Sequence, residues 1–133
     1  MRERNISAIT TNSISIHLDH GALLRITLLE GAEIDIEETI KNCSAILKVA
    51  AGKKRLILVN ANADWAITTE ARAYFVRENI LERTIAMAFV ADKLPKRLIV
   101  NFFIRLHKTS IPIKLFSKEE KALIWLKSFK IKY

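Results

Sequence analysis

The sequence predicts an α/β domain with a mostly parallel, five-stranded sheet, built in the order ββαβαβαβα. Three observations carry that expectation. The spacing of apolar residues switches repeatedly between the two-residue period of strands and the three-to-four-residue period of helices. The later strand candidates are apolar on both faces, as strands covered on each side by helices must be. Only three glycines (Gly21, Gly31, Gly52) and two prolines (Pro95, Pro112) punctuate the chain, each where two periodic segments meet. Strands that alternate with helices pair in parallel through right-handed crossovers, and a hairpin adds the first strand antiparallel.

Ser13 to His20 alternates polar and apolar residues, with Ile14, Ile16 and Leu18 on one face, and Ala22 to Leu29 follows after His20-Gly21. Two strands around a tight turn make a hairpin. From Asp35 the period changes: Ile36, Ile40, Cys43, Leu47 and Ala50 recur at intervals of three and four on one helical face. Asp35 and Glu38 form a capping box, and Gly52 stands where a left-handed residue ends a helix of about fifteen residues. Arg55 to Asn60 is a short apolar run that reads as a strand buried on both faces.

The second helix starts near Thr68 or Thr69, places Ala71, Tyr74, Phe75 and Glu78 on one face, and ends at Asn79. Thr84 to Ala91 is the next strand, with large Ile85, Met87 and Phe89 alternating with smaller Ala86, Ala88 and Val90. Pro95 suits the first turn of a helix from Lys93 to Lys108, in which Leu98, Ile99, Phe102, Phe103 and Leu106 follow at helical spacing. Ile111 to Phe116 is the last strand, and Pro112 restricts it to a sheet edge or its own start. Ser117 and Glu120 form a second capping box for a helix that turns Ala122, Trp125, Leu126 and Phe129 to the core.

No linker or low-complexity stretch divides residues 1–133, so the expectation is one domain, with residues 1–12 as a flexible N-terminus. A chain of 133 residues buries roughly two-thirds of its unfolded surface, enough for a core without disulfides or metals. Cys43 is the single cysteine and cannot form an internal disulfide. The start, Met-Arg-Glu-Arg-Asn, lacks the apolar run of a signal peptide, which points to the cytoplasm. No uncharged apolar run approaches the ~18 residues of a membrane helix.

The order of elements resembles that of the STAS-like, or SpoIIAA-like, fold family, which includes bacterial anti-sigma-factor antagonists and shares its core with SEC14-type lipid-carrying domains. The ending from Ile111 to Leu126, with Phe116, the acidic pair Glu119-Glu120 and Ala122-Leu-Ile-Trp-Leu126, is also similar to that of small bacterial members. The resemblance implies a non-enzymatic regulatory module acting through protein contact. Antagonists of the family are switched on a serine in an Asp-Ser-Ser-Gly-like turn. The matching segment here, Val59 to Trp65, has neither serine nor glycine, so no phosphoacceptor is assigned to Thr68 or Thr69.

The best candidate for a ligand site is the segment Asn60 to Thr69, at the carboxyl end of a parallel strand, where open α/β sheets bind ligands. Asn60, Asn62 and Asp64 offer hydrogen-bonding groups, Trp65 a stacking face, and Thr68 and Thr69 begin a helix. The same residue types also suit a turn whose side chains bond its own backbone. His17, Asp19 and His20 cluster at the hairpin without a second ligand group, so no metal site is assigned; His107 compensates a helix end, and Cys43 reads as core. Gly-x-Ser-x-Gly, His-Glu-x-x-His, Gly-x-Gly-x-x-Gly and paired Cys-x-x-Cys are all absent, so neither catalysis nor a cofactor is expected.

The helix from Lys93 carries more apolar surface than one sheet face needs, and Val100, Phe103 and Ile104 are candidates for a homodimer interface or the lining of an acyl-ligand pocket. The net charge of +8 is local: residues 1–66 hold 8 basic and 8 acidic side chains, residues 67–133 hold 14 and 6. Such a basic face suits an acidic protein, a second copy of the chain, anionic lipid heads or a small ligand. It is lysine-rich and poor in free aromatics, which disfavours nucleic acid.

Overall fold

The computed structural model describes residues 7–19, 23–77, 80, 82–106 and 111–129, and places them in a mixed α/β fold. A hairpin of β2 (Ile14–Asp19) and β3 (Leu23–Leu28) pairs Asp19 with Leu23 at its closed end; its turn, including His20 and Gly21, lies outside the described residues. A short β1 (Ala8–Thr10) adds antiparallel to β2, so the expected flexible stretch 1–12 contains a strand. β5 (Arg55–Asn60) and β7 (Thr84–Val90) extend the sheet in parallel, and β8 (Ile113–Phe116) closes it. The order is β1-β2-β3-β5-β7-β8, six strands rather than five; β8 is an edge strand and starts at Ile113, two residues later than expected, so Pro112 lies just ahead of it.

A second pair escaped the sequence pattern. β4 (Glu33–Ile34) and β6 (Ala66–Ile67) form a two-stranded parallel ribbon. Two residues cannot display a period, and both strands sit in stretches that read as loops.

The helices are α1 (Ile36–Ala50), α2 (Thr69–Arg77), α3 (Leu94–Leu106) and α4 (Glu119–Lys127). Asp35 caps α1 as expected, its carboxylate accepting the Glu38 N–H at 2.8 Å. The left-handed turn after α1 begins at Ala51 (φ 56°) and continues through Gly52 (φ 75°), one residue earlier than predicted.

The buried face of α1 is also rotated from the expected one. Ile40 and Leu47 are 46% and 38% exposed, while Thr39, Asn42, Ile46 and Val49 join Cys43 inside. Hydrogen bonds admit the two polar residues: Asn42 Nδ2 donates to Ser13 Oγ at 2.8 Å, Thr11 Oγ1 donates to Asn42 Oδ1 at 2.7 Å, and Thr39 Oγ1 donates to the Asp35 carbonyl at 2.9 Å. The capping box expected at Ser117 is not formed. Lys118 is the N-cap residue, because Ser117 Oγ instead accepts from Arg97 Nη1 at 2.9 Å and so ties α3 to the end of β8.

The alternation seen in β7 sorts the two faces of the sheet. Leu56, Leu58, Ala86, Ala88 and Val90 face α4, meeting Ala122 and Leu126. Ile57, Val59 and Met87 face the other way with Ile14, Ile16, Leu24 and Ile26, under Cys43, Ile46 and Val49 of α1. Beyond the carboxyl ends of the strands, Ala32, Ile34, Ala61, Trp65, Ala71, Ala91 and Val100 form a third cluster, which joins the ribbon to α2 and α3.

Candidate functional site

The segment Asn60 to Thr69 lies where the sequence places it, leading from the end of β5 to the start of α2. Its polar groups mostly bond within the fold, although Asp64, Thr68 and Thr69 remain exposed. Asn60 Oδ1 accepts from the Asn62 N–H at 3.0 Å, and Asn62 Oδ1 accepts from the Asp92 N–H at 2.9 Å, which links the loops after β5 and β7. The Asp64 N–H donates to the Glu30 carboxylate, and Thr68 Oγ1 caps α2 by accepting from the Ala71 N–H at 3.1 Å. Thr69 Oγ1 accepts from Arg72 Nη2 at 3.2 Å.

Trp65 is buried at 7% exposure, with its indole N–H donating to the Ala61 carbonyl at 3.0 Å. Lys96 reaches it from α3: its Nζ donates to the Trp65 carbonyl at 2.7 Å, lies 5.0 Å from the ring centroid and pairs with Asp64 Oδ1 at 3.1 Å. Lys96 and Arg97, counted above toward a basic face, therefore fasten α3 to the sheet ends; Arg97 Nη1 also donates to the Ala91 carbonyl at 2.9 Å.

A cavity lies behind this segment. About 130 Å³ of space, partly open to solvent, lies between the sheet and helices α1, α2 and α3. Ile26, Ile57, Val59, Met87 and Phe89 form its floor; Ile46, Phe75, Ile99, Val100 and Phe103 its helical walls. Trp65, Ile67 and Arg72 complete the lining on the side of the ribbon and α2. Of the six residues proposed for ligand binding, only Trp65 lines it. Phe103 stands between Phe75 and Phe89, with ring centroids 6.3 and 6.0 Å away.

The residues expected at an interface face inward. Val100 is 3% exposed and lines the cavity, Phe103 packs on the aromatic pair, and Ile104 packs on the cluster containing Trp65. The apolar residues that α3 presents to solvent are Leu94, Leu98 and Phe102, at 66%, 60% and 53% exposure. A helix apolar nearly all round hides which stripe turns in, and Val100 enters because it points at the strand ends.

Sequence reasoning missed Arg72. It is the charged member of the described lining, and its Nε–H is sealed from solvent with no acceptor among the described residues. Its guanidinium carbon lies 5.9 Å from the Phe102 ring centroid. Nothing in the string Ala71-Arg72-Ala73-Tyr74-Phe75 distinguishes this arginine from an ordinary surface residue.

At the hairpin, Asp19 Oδ2 is held by Arg25 Nε at 2.7 Å, and Arg25 Nη1 reaches Glu119 Oε1 at 3.2 Å. His17 is exposed on β2; His20 and His107 lie outside the described residues. Among the described residues no group of three or more His, Cys, Asp or Glu side chains is placed to hold a metal ion, and no helix is long and apolar enough to cross a membrane.

Residues 16–130 match the family model described as a domain of unknown function, DUF7793. No curated protein matches the sequence. Among solved structures, the chain is similar to an uncharacterised protein of the DUF3478 family with a SpoIIAA-like fold from Shewanella loihica PV-4. The TM-score is 0.61 at 15% identity, over 95% of this chain and 98% of that one. The likeness shows a SpoIIAA-like fold, as the order of elements implied.

Proposed function

Since the chain belongs to the DUF7793 family, whose description names no activity, we propose its function from the site itself: a binding module, without catalysis, that takes a small apolar ligand into the cavity beneath α2 and α3. The cavity carries this reading. A half-open apolar pocket of about 130 Å³ leaves aliphatic and aromatic surface without packing partners, which an apolar ligand supplies. A cavity of about this size, lined by aliphatic and aromatic side chains, admits a benzene-sized molecule. The polar groups nearby are engaged in caps and turns, which favours binding over chemistry. Titration with benzene, followed by NMR, is expected to shift resonances of Val59, Met87 and Val100 and to leave Leu126 on the opposite face unmoved. No shift at saturating benzene would overturn the reading.

A second reading follows the family resemblance and one feature of α3. Leu94, Leu98 and Phe102 repeat every four residues along its exposed side, a stripe suited to protein contact, with a second copy of this chain as the simplest partner. Sedimentation equilibrium is expected to show concentration-dependent dimers that Leu98→Glu abolishes. A monomer at every concentration sinks self-association.

A further inference from the structure

We propose that the cavity's ligand is a small monoanion, an aryl or short alkyl carboxylate, whose tail fills the void and whose carboxylate is held by Arg72 at the mouth between α2 and α3. The inference rests on the cavity reading above and adds to it a charge and a size. The size follows from the volume: about 130 Å³ is slightly below the ~150 Å³ known to admit one benzene ring, so the void takes one ring-sized tail and a long acyl chain would extend out through its open side.

The charge follows from Arg72. Arg72 belongs to the described lining, which is otherwise apolar, and its guanidinium also reaches an exposed position at Thr69 Oγ1. The Nε–H is buried without an acceptor among the described residues, a state that folded proteins avoid. Nη2 is already anchored on Thr69 Oγ1 at 3.2 Å, and the guanidinium carbon lies 5.9 Å from the Phe102 ring centroid, which together fix the orientation of the group. In the unliganded fold the Nε side of this edge is covered; a carboxylate that displaces the cover supplies the missing acceptor, and its two oxygens match the edge formed by Nε and Nη2. One guanidinium balances one negative charge, which favours a carboxylate over a phosphate dianion. Residues 67–133, which provide α2 and α3, carry 14 basic against 6 acidic side chains and attract an anion.

The test uses phenylacetate and its uncharged counterpart 2-phenylethanol, titrated calorimetrically into the full chain and into Arg72→Met. Phenylacetate is expected to bind the unaltered protein about tenfold or more tightly than the alcohol, as one charge-assisted pair provides. In Arg72→Met that preference disappears while the alcohol binds as before. Equal affinity of the two compounds for the unaltered protein overturns the carboxylate anchor and leaves the apolar cavity standing. Failure of both to bind overturns the anchor and the cavity reading together. Because the comparison within the unaltered protein is decisive alone, the result does not depend on the variant folding.

Discussion

The two faces of the sheet are packed in opposite ways. Toward α4, Leu56 and Leu58 of β5 are matched by the small Ala86, Ala88 and Val90 of β7, and the helix lies close enough for Ala122 and Leu126 to be fully buried. Trp125 closes that layer between Phe116 and Phe129, at centroid distances of 5.6 and 5.0 Å. Toward α1, α2 and α3 the strands offer large side chains, Ile57, Met87 and Phe89, yet this is the hollow side. Bulk alone does not decide density. Phenylalanines 75, 89 and 103 act as spacers between α2, α3 and the sheet, and rigid rings that meet at steep angles, edge to face between Phe89 and Phe103 and tilted between Phe75 and Phe103, cannot collapse into the remaining space.

The largest expected difference between the faces is the response to added volume. Ala88 is fully buried against α4, and Ala88→Leu should destabilise by about 1–3 kcal/mol, or abolish folding, by forcing the helix outward. Val100→Ile adds one methylene at the cavity wall and should stabilise by about 0.5–1 kcal/mol while weakening binding of a benzene-sized ligand. Urea unfolding reads both; destabilisation by Val100→Ile would mean that the space is not usable and that the contrast fails. Removal of volume gives the next effect. Leu126→Ala should cost about 3–4 kcal/mol, and Met87→Ala nearer ~2 kcal/mol, because a side chain that already borders a void loses fewer contacts. Equal losses in the same experiment would place the two faces at equal density.

How much of this was legible in the sequence follows from what each feature leaves in a one-dimensional pattern. β5, β7 and the fifteen residues of α1 announce themselves by period and caps. β1, β4 and β6, with three, two and two residues, carry no period. The buried stripe of α1 differs from its most apolar one because Thr39 and Asn42 read as solvent-facing until their partners Asp35, Ser13 and Thr11 are in place. The turn from Asn60 to Thr69 was visible as a cluster of polar residues, and it serves structure mainly through the bonds that make such residues suit turns. The cavity was not visible, since a void is bounded by the same isoleucines, valines and phenylalanines that fill a core.

The smallest predicted effect concerns the rim that joins the two regions. Lys96 holds the Trp65 carbonyl and covers its ring, whereas its third contact, Asp64, has a side chain 86% exposed. An exposed pair is screened by water and salt, so Asp64→Asn should lower stability by less than about 0.5 kcal/mol. Lys96→Met should cost about 1 kcal/mol, because it also removes a hydrogen bond to a half-buried carbonyl and a cation–π contact. The difference between the two variants, and its persistence in high salt, separates what Lys96 does for Trp65 from what it does for Asp64. If Asp64→Asn proved as costly as Lys96→Met, the ion pair rather than the tryptophan would fasten α3 to the loop, and the hollow face would be closed at its rim by charge instead of by packing.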